Sequence, residues 1–226
     1  MSQLTVVFDL DGTLVDTAPD LVESLNFVFR RDGVPELPYV EARALIGGGI
    51  KPLIERGLAV QGLHCPPDEI SQLYADFLAH YTEHIADRSR PFPGLVEALD
   101  ALDKRDCRLA VCTNKLEGLA RRLLDALGLA PRFAAISGPD TYGIYKPDPV
   151  ILRRTVEAAQ GDPCFAVMVG DSETDVATAR AAAIPMVAVD FGYPVGPAAE
   201  LGPDRLISHF AALEGAVEAL FPQLAA

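Results

Sequence analysis

Short runs of consecutive apolar residues alternate along this chain with stretches in which apolar residues recur every three or four positions. The runs fall at residues 4–8, 108–112, 134–137, 165–169 and 186–189, and the periodic stretches at 95–104, 116–127, 149–159 and 174–183. An apolar run without polar alternation predicts a strand buried on both faces. Such strands separated by amphipathic helices predict a parallel sheet covered on both sides. Ligands of these sheets sit beyond the carboxyl ends of the strands, where the strand order reverses.

One region departs from this alternation. From Thr17 to about Asp87 only helical patterns occur, at residues 20–31, 41–46, 50–58 and 68–86. Thr17 is read as the N-cap of the first of them, with Pro19 in the first turn and Asp20 three residues on. The segment is expected to be a helical module inserted after the first strand. The chain re-enters the sheet domain near Arg90-Pro91-Phe92-Pro93-Gly94, which two prolines and a glycine punctuate. The expected division is therefore 1–16 with 88–226, and 17–87.

Composition narrows the function. The chain has 226 residues, 50% of them hydrophobic, which excludes a disordered chain. The net charge of −13 argues against nucleic acid as a partner, because phosphates need an excess of Lys and Arg. It leaves room for a small phosphate ester, since a metal and one lysine invert the field locally. No apolar stretch is long enough to span a membrane, and no secretory leader precedes the first strand, so a cytoplasmic protein is expected. The four cysteines form no C-x-x-C pair, and Cys112 reads as a small buried hydrophobe.

The strands end in chemistry. Asp9-Leu10-Asp11-Gly12-Thr13 follows the first run. Two carboxylates so close repel unless a cation compensates, and a hard cation such as Mg²⁺ takes oxygen ligands. A carboxylate beside such a cation is also a nucleophile for phosphorus. An Asp-Gly turn is the plainer alternative. Thr113-Asn114-Lys115 follows the second central run, either as donors to phosphoryl oxygens or as a helix cap. Lys146-Pro147-Asp148-Pro149 offers a fixed point charge for an anion, or a solvated lysine before a helix. Gly170-Asp171-Ser172-Glu173-Thr174-Asp175 places Asp171 as a further oxygen ligand and Asp175 one helical turn later, with Glu173 read as an exposed first-turn residue.

In order and spacing, these four segments resemble the motifs of the haloacid dehalogenase superfamily, and the likeness covers essentially the whole chain. The inserted helices resemble its C1 cap. Phe8 to Thr17, Ile46-Gly47-Gly48-Gly49 and Phe191-Gly192-Tyr193 resemble the phosphoglycolate phosphatase branch. The resemblance implies an α/β fold, a Rossmann-like parallel sheet core with helices on both faces, plus an inserted α-helical cap domain. It implies that Asp9 attacks phosphorus and that Asp11 acts as general acid, then general base. It implies that Mg²⁺ is held by Asp9, the Asp11 backbone carbonyl and Asp171 with Asp175 in support, and that Thr113, Asn114 and Lys146 bind phosphate.

The expected function is hydrolysis of a small phosphate ester, 2-phosphoglycolate first among them. A phosphomutase like β-phosphoglucomutase, a phosphatase of another small phosphorylated metabolite and a non-catalytic phosphate-binding protein are the alternatives. Gly47, Gly48 and Gly49 are either a flexible turn or a loop whose N–H groups approach an anion, with Arg43 and Lys51 as candidates for a substrate carboxylate. His80 and His84 share a helix face at a metal-ligand spacing, but no third ligand accompanies them. A monomer or homodimer is expected.

Overall fold

The computed structural model describes residues 3–193 and 196–222. In chain order come β1 (Thr5–Phe8), β2 (Val15–Asp16), α1 (Ala18–Arg31), α2 (Tyr39–Arg43), α3 (Ile50–Val60), α4 (Pro67–Glu83), β3 (Arg90–Pro91) and α5 (Leu95–Lys104). Then follow β4 (Arg108–Cys112), α6 (Glu117–Ala126), β5 (Ala135–Ser137), α7 (Pro139–Tyr142), α8 (Pro149–Ala158), β6 (Ala166–Gly170), α9 (Glu173–Ala182), β7 (Met186–Val189), β8 (Arg205–Ile207) and α10 (Leu213–Leu220). No helix among the described residues is long and apolar enough to cross a membrane. The chain divides into two compact units, one of residues 1–16 with 91–226 and one of residues 17–90.

The first unit is built on a six-stranded sheet in the order β5-β4-β1-β6-β7-β8, and every pairing in it is parallel. Its strands other than the edge strand β8 are buried because both faces are covered. Val7, Ala110 and Met168 lie in register on one face and join Ile151, Leu152 and Val156 of α8 and Val176 and Ala179 of α9 in one apolar cluster. On the other face Phe8 lies in register with Val111 and Val169, all fully buried, and its ring meets Phe133 edge-on. This is the doubly wound α/β arrangement that the uninterrupted apolar runs predict. From β1 the sheet grows toward β4 and β5 on one side and toward β6, β7 and β8 on the other. The order reverses beside β1, so the crevice lies at the carboxyl ends of β1, β4 and β6.

Three strands went unanticipated. β2 and β3 are two residues each and form a separate two-stranded sheet, and β8 is a sheet edge whose Leu206 is exposed, so none carries an apolar run. The fourth central strand is Ala166–Gly170 rather than 165–169, because Phe165 closes a 3₁₀ turn, Pro163–Phe165. Asp171 therefore follows the last strand residue directly.

The second unit packs α1 to α4 around Leu25, Phe29, Leu53, Ile54, Leu58, Phe77 and Tyr81, all buried. Thr17 precedes α1 but has helical backbone angles, and its side chain makes no capping hydrogen bond. Asp20 serves elsewhere. Its carboxylate accepts from the backbone N–H of Arg88 and from the N–H and hydroxyl of Ser89, anchoring the end of the unit to its first helix.

Candidate active site

Asp9 leaves β1 with its carboxylate almost fully buried, its Oδ1 accepting from Leu10 N–H at 2.7 Å and paired with Lys146 Nζ at 2.9 Å. Lys146 Nζ also donates to Asp175 Oδ1 at 2.6 Å. A buried ammonium is thus shared between two buried carboxylates. Burial alone would lower the Lys146 pKa, but Asp175 and Asp9 outweigh it, and the net shift is upward, so the lysine stays charged. Asn114 holds the lysine from behind: its Nδ2 donates to Lys146 O at 3.0 Å and its Oδ1 accepts from Lys146 N at 2.8 Å. The Asn114 side chain therefore works on the lysine backbone.

Asp171 follows β6 and is 3% exposed. Its Oδ1 accepts from the Thr13 hydroxyl at 2.9 Å and its Oδ2 from Tyr193 N–H at 2.7 Å. The fit is close. A Cβ on Gly12, which has φ +82°, would fall 2.3 Å from Asp171 Oδ2, and one on Gly192 would fall 2.2 Å from the Gly12 carbonyl oxygen. Tyr193 reaches further with its hydroxyl, which donates to Asp16 Oδ1 at 2.6 Å. Asp175 sits in the first turn of α9, where Ser172 caps the helix. Asp175 Oδ2 accepts from Ser172 N at 3.1 Å and Oγ at 2.6 Å, so both its oxygens have donors.

One carboxylate oxygen each from Asp9, Asp171 and Asp175 lie within 4.8 Å of one another. Burial pushes the Asp9 carboxyl up to about 6; Lys146 pulls it down while Asp175 and Asp11 push it further up. Burial likewise pushes Asp171 up to about 7, aided by Asp175 and Asp9. An all-oxygen donor set crowded enough to resist ionisation suits a hard divalent cation. Three carboxylates against one buried ammonium leave two negative charges, the number such a cation cancels.

A stability consequence follows with a definite sign. Folded pKa values near 6 and 7 exceed the ordinary 3.8. The folded state then holds protons that the unfolded chain has released. This contribution is fully present below the unfolded value and is lost as pH rises through the folded ones. In EDTA, melting temperature should fall more steeply between pH 5 and 8 in the wild type than in Asp171→Asn; equal slopes in parallel melts would contradict the shifts.

Asp11 stands in a tight turn in which the Thr13, Leu14 and Val15 N–H groups donate to Leu10 O. Its carboxylate accepts from Lys115 Nζ at 2.8 and 2.9 Å. Thr113 is buried after β4, its Oγ1 accepting from Lys115 N. Asp9, Asp11, Thr113, Lys146, Asp171 and Asp175 thus all belong to the sheet unit. Arg43 and Gly49, half-buried, and Gly47, Gly48 and Lys51, exposed, belong to the helical unit. There Arg56 Nη1 donates to Leu45 O and Gly47 O and holds the glycine loop, a contact that motif reading did not reveal. The His80 ring stacks on Phe27, with Ser24 Oγ 3.0 Å from its Nδ1, and meets the His84 ring at a tilt, with His84 beside Asp87. They form a packed face. Burial pushes the Cys112 thiol up to about 12, in keeping with a small apolar core residue.

A parallel sheet with helices on both faces places these acidic residues together at the carboxyl ends of its central strands, where doubly wound α/β proteins bind their ligands. The chain belongs to the haloacid dehalogenase-like hydrolase family, whose model matches residues 6–189. It is 47% identical over 213 residues to the phosphoglycolate phosphatase of Mesorhizobium japonicum, an alignment that spans 94% of each chain. Its fold matches the crystal structure of a predicted phosphoglycolate phosphatase from Haemophilus somnus with a TM-score of 0.87, at 27% identity and over 95% of this chain and 98% of that one. CbbY from Rhodobacter sphaeroides, crystallised in complex with phosphate, matches with a TM-score of 0.80 at 26% identity, over 96% of this chain and all of the other.

Proposed function

We propose that this chain is a Mg²⁺-dependent phosphomonoesterase that hydrolyses a small phosphate ester, with 2-phosphoglycolate as the foremost substrate, through an aspartyl-phosphate on Asp9. The observation that carries the reading is the Asp9 carboxylate itself, buried beside Lys146 with Asp171 and Asp175 close by. The phosphoglycolate phosphatases it resembles along nearly their whole length supply the substrate class.

In this mechanism a carboxylate oxygen of Asp9 attacks phosphorus, and the bond from phosphorus to the leaving-group oxygen breaks. Asp11, protonated, gives its proton to the departing alkoxide. The resulting Asp11 carboxylate then takes a proton from the water that attacks the aspartyl-phosphate. Inorganic phosphate departs, and Asp9 and protonated Asp11 are restored. Lys146 and the Thr113 hydroxyl stabilise charge on the phosphoryl oxygens, and such electrostatic clamping supplies most of the rate in phosphoryl transfer. Asn114 serves this clamp by fixing Lys146. Asp9, Asp171 and the Asp11 carbonyl would hold Mg²⁺, which supplies charge neutralisation and lets a phosphate dianion approach the acidic cluster. Asp175, whose oxygens hold Lys146 and the Ser172 cap of α9, would support these ligands from behind.

The test is phosphate release from a panel of small esters, with Mg²⁺ and with EDTA. The expected result is release from 2-phosphoglycolate with kcat/KM roughly tenfold or more above the other esters, abolished by EDTA. Turnover insensitive to EDTA, or return of the phosphoryl group to a second hydroxyl instead of its release, would overturn the reading.

A further inference from the structure

Thr113, Asn114 and Lys115 stand together at the end of β4. Thr113 and Asn114 serve the phosphoryl clamp, whereas Lys115 has no part in it. Its side chain is only 4% exposed, yet it is not spent on the protein interior in general: its Nζ lies 2.8 Å from Asp11 Oδ1 and 2.9 Å from Oδ2. The Asp11 backbone is already fixed, by the donors to Leu10 O, by Gly12 N–H donating to Val15 O, and by the bridge of Asp11 to Val15. Two side-chain torsions of Asp11 are left for something else to set.

We propose that Lys115 is a positioning residue for Asp11: by gripping both carboxylate oxygens it fixes the plane and direction of the group that moves the proton. This rests on the phosphatase reading, in which Asp11 is the acid and base. When one Asp11 oxygen carries the proton to the leaving group, the other goes on accepting from Lys115, so the carboxyl does not swing as it changes state. An aspartate held at one edge of a turn without such a grip samples several rotamers, and each departure from the productive one costs rate, because proton transfer needs hydrogen-bond reach. Lysine suits this role as a compact charge with several donors on one atom.

The experiment is a double-mutant cycle on 2-phosphoglycolate with Asp11→Asn, Lys115→Met and the pair, with Lys115→Arg as the conservative variant. Lys115→Met is expected to lower kcat about tenfold or more, within the range that general acid–base catalysis contributes, while KM moves less than about threefold. In the Asp11→Asn background the same change should cost less than about twofold, because a residue that acts only through Asp11 has nothing left to position. Lys115→Arg should recover part of kcat. Equal losses in both backgrounds would overturn the proposal and assign Lys115 to the phosphoryl group itself; an unchanged kcat in Lys115→Met would also overturn it. A measurement free of turnover separates this from the function: the crystal structure of Lys115→Met should show Asp11 in more than one rotamer. An Asp11 carboxylate kept in its wild-type place refutes the positioning role, whereas failure of every phosphate ester refutes the phosphatase reading alone.

Discussion

Asp9→Asn is expected to reduce phosphate release by about 10⁴-fold or more while leaving the protein folded. An amide cannot attack phosphorus, and it brings no negative charge to a cation. The structure separates this loss from any loss of fold. Asp9 Oδ1 accepts from Leu10 N–H and faces Lys146 Nζ, and an amide oxygen can occupy the same place. The substitution also removes one charge from a self-repelling cluster, so melting in EDTA at about pH 7.5 should be no lower than in the wild type. Turnover and melting temperature, measured side by side, check this. Wild-type-like rates would end the mechanism, and a collapse of the fold would mean that Asp9 carries a structural load beyond these contacts.

Lys146→Met should strike both stability and activity. The methionine chain replaces the apolar stem but not the ammonium, so Asp9 and Asp175 lose the one cation they share. Removing one partner of a buried ion pair typically costs about 3–5 kcal/mol, because the remaining charges are left uncompensated. A domain of this size should then melt roughly 10 °C lower at neutral pH in EDTA. The deficit should shrink toward pH 5, where protons replace the missing charge. With Mg²⁺ present, part of the stability returns, but kcat/KM should remain at least about 10²-fold down, the usual worth of one fixed donor to a developing charge. An unchanged melt in EDTA would show that Lys146 does not hold the two aspartates; an unchanged kcat/KM would remove it from the phosphate.

Much of this was legible in the chain because it rests on local signals. Buried parallel strands need uninterrupted apolar runs, so β1, β4, β5, β6 and β7 stood out to within a residue at their ends. The acidic residues were legible because they follow those runs directly. The contacts that complete the site are of another kind. Lys115 meets Asp11 across 104 positions, and Tyr193 meets Asp16 across 177. Neither pairing leaves a periodicity or a spacing to find, since each depends on which strands the sheet makes neighbours. Asp20 shows the converse. It stands three residues after Thr17, the expected N-cap, but tertiary structure gives its carboxylate the backbone of Arg88 and Ser89. For Asn114 the resemblance implies phosphate binding, and only the folded chain shows both ends of its amide on Lys146.

The register of the sheet restricts how such a protein can change. Phe8 is level with Val111 on one side and Val169 on the other, so the reactive residues start from one common line just past the strands. Side chains in a strand alternate between faces, and a slip of one residue moves every one of them to the opposite face. A single-residue insertion or deletion within β1, β4 or β6 would therefore swing its site residues out of the shared crevice or drag polar groups into the apolar layers. Changes of length are tolerable only where no register is shared, in the connections between elements. The centre of this sheet is thus closed to variation by insertion, and diversification of such a protein is channelled into the segments that join or interrupt its strands.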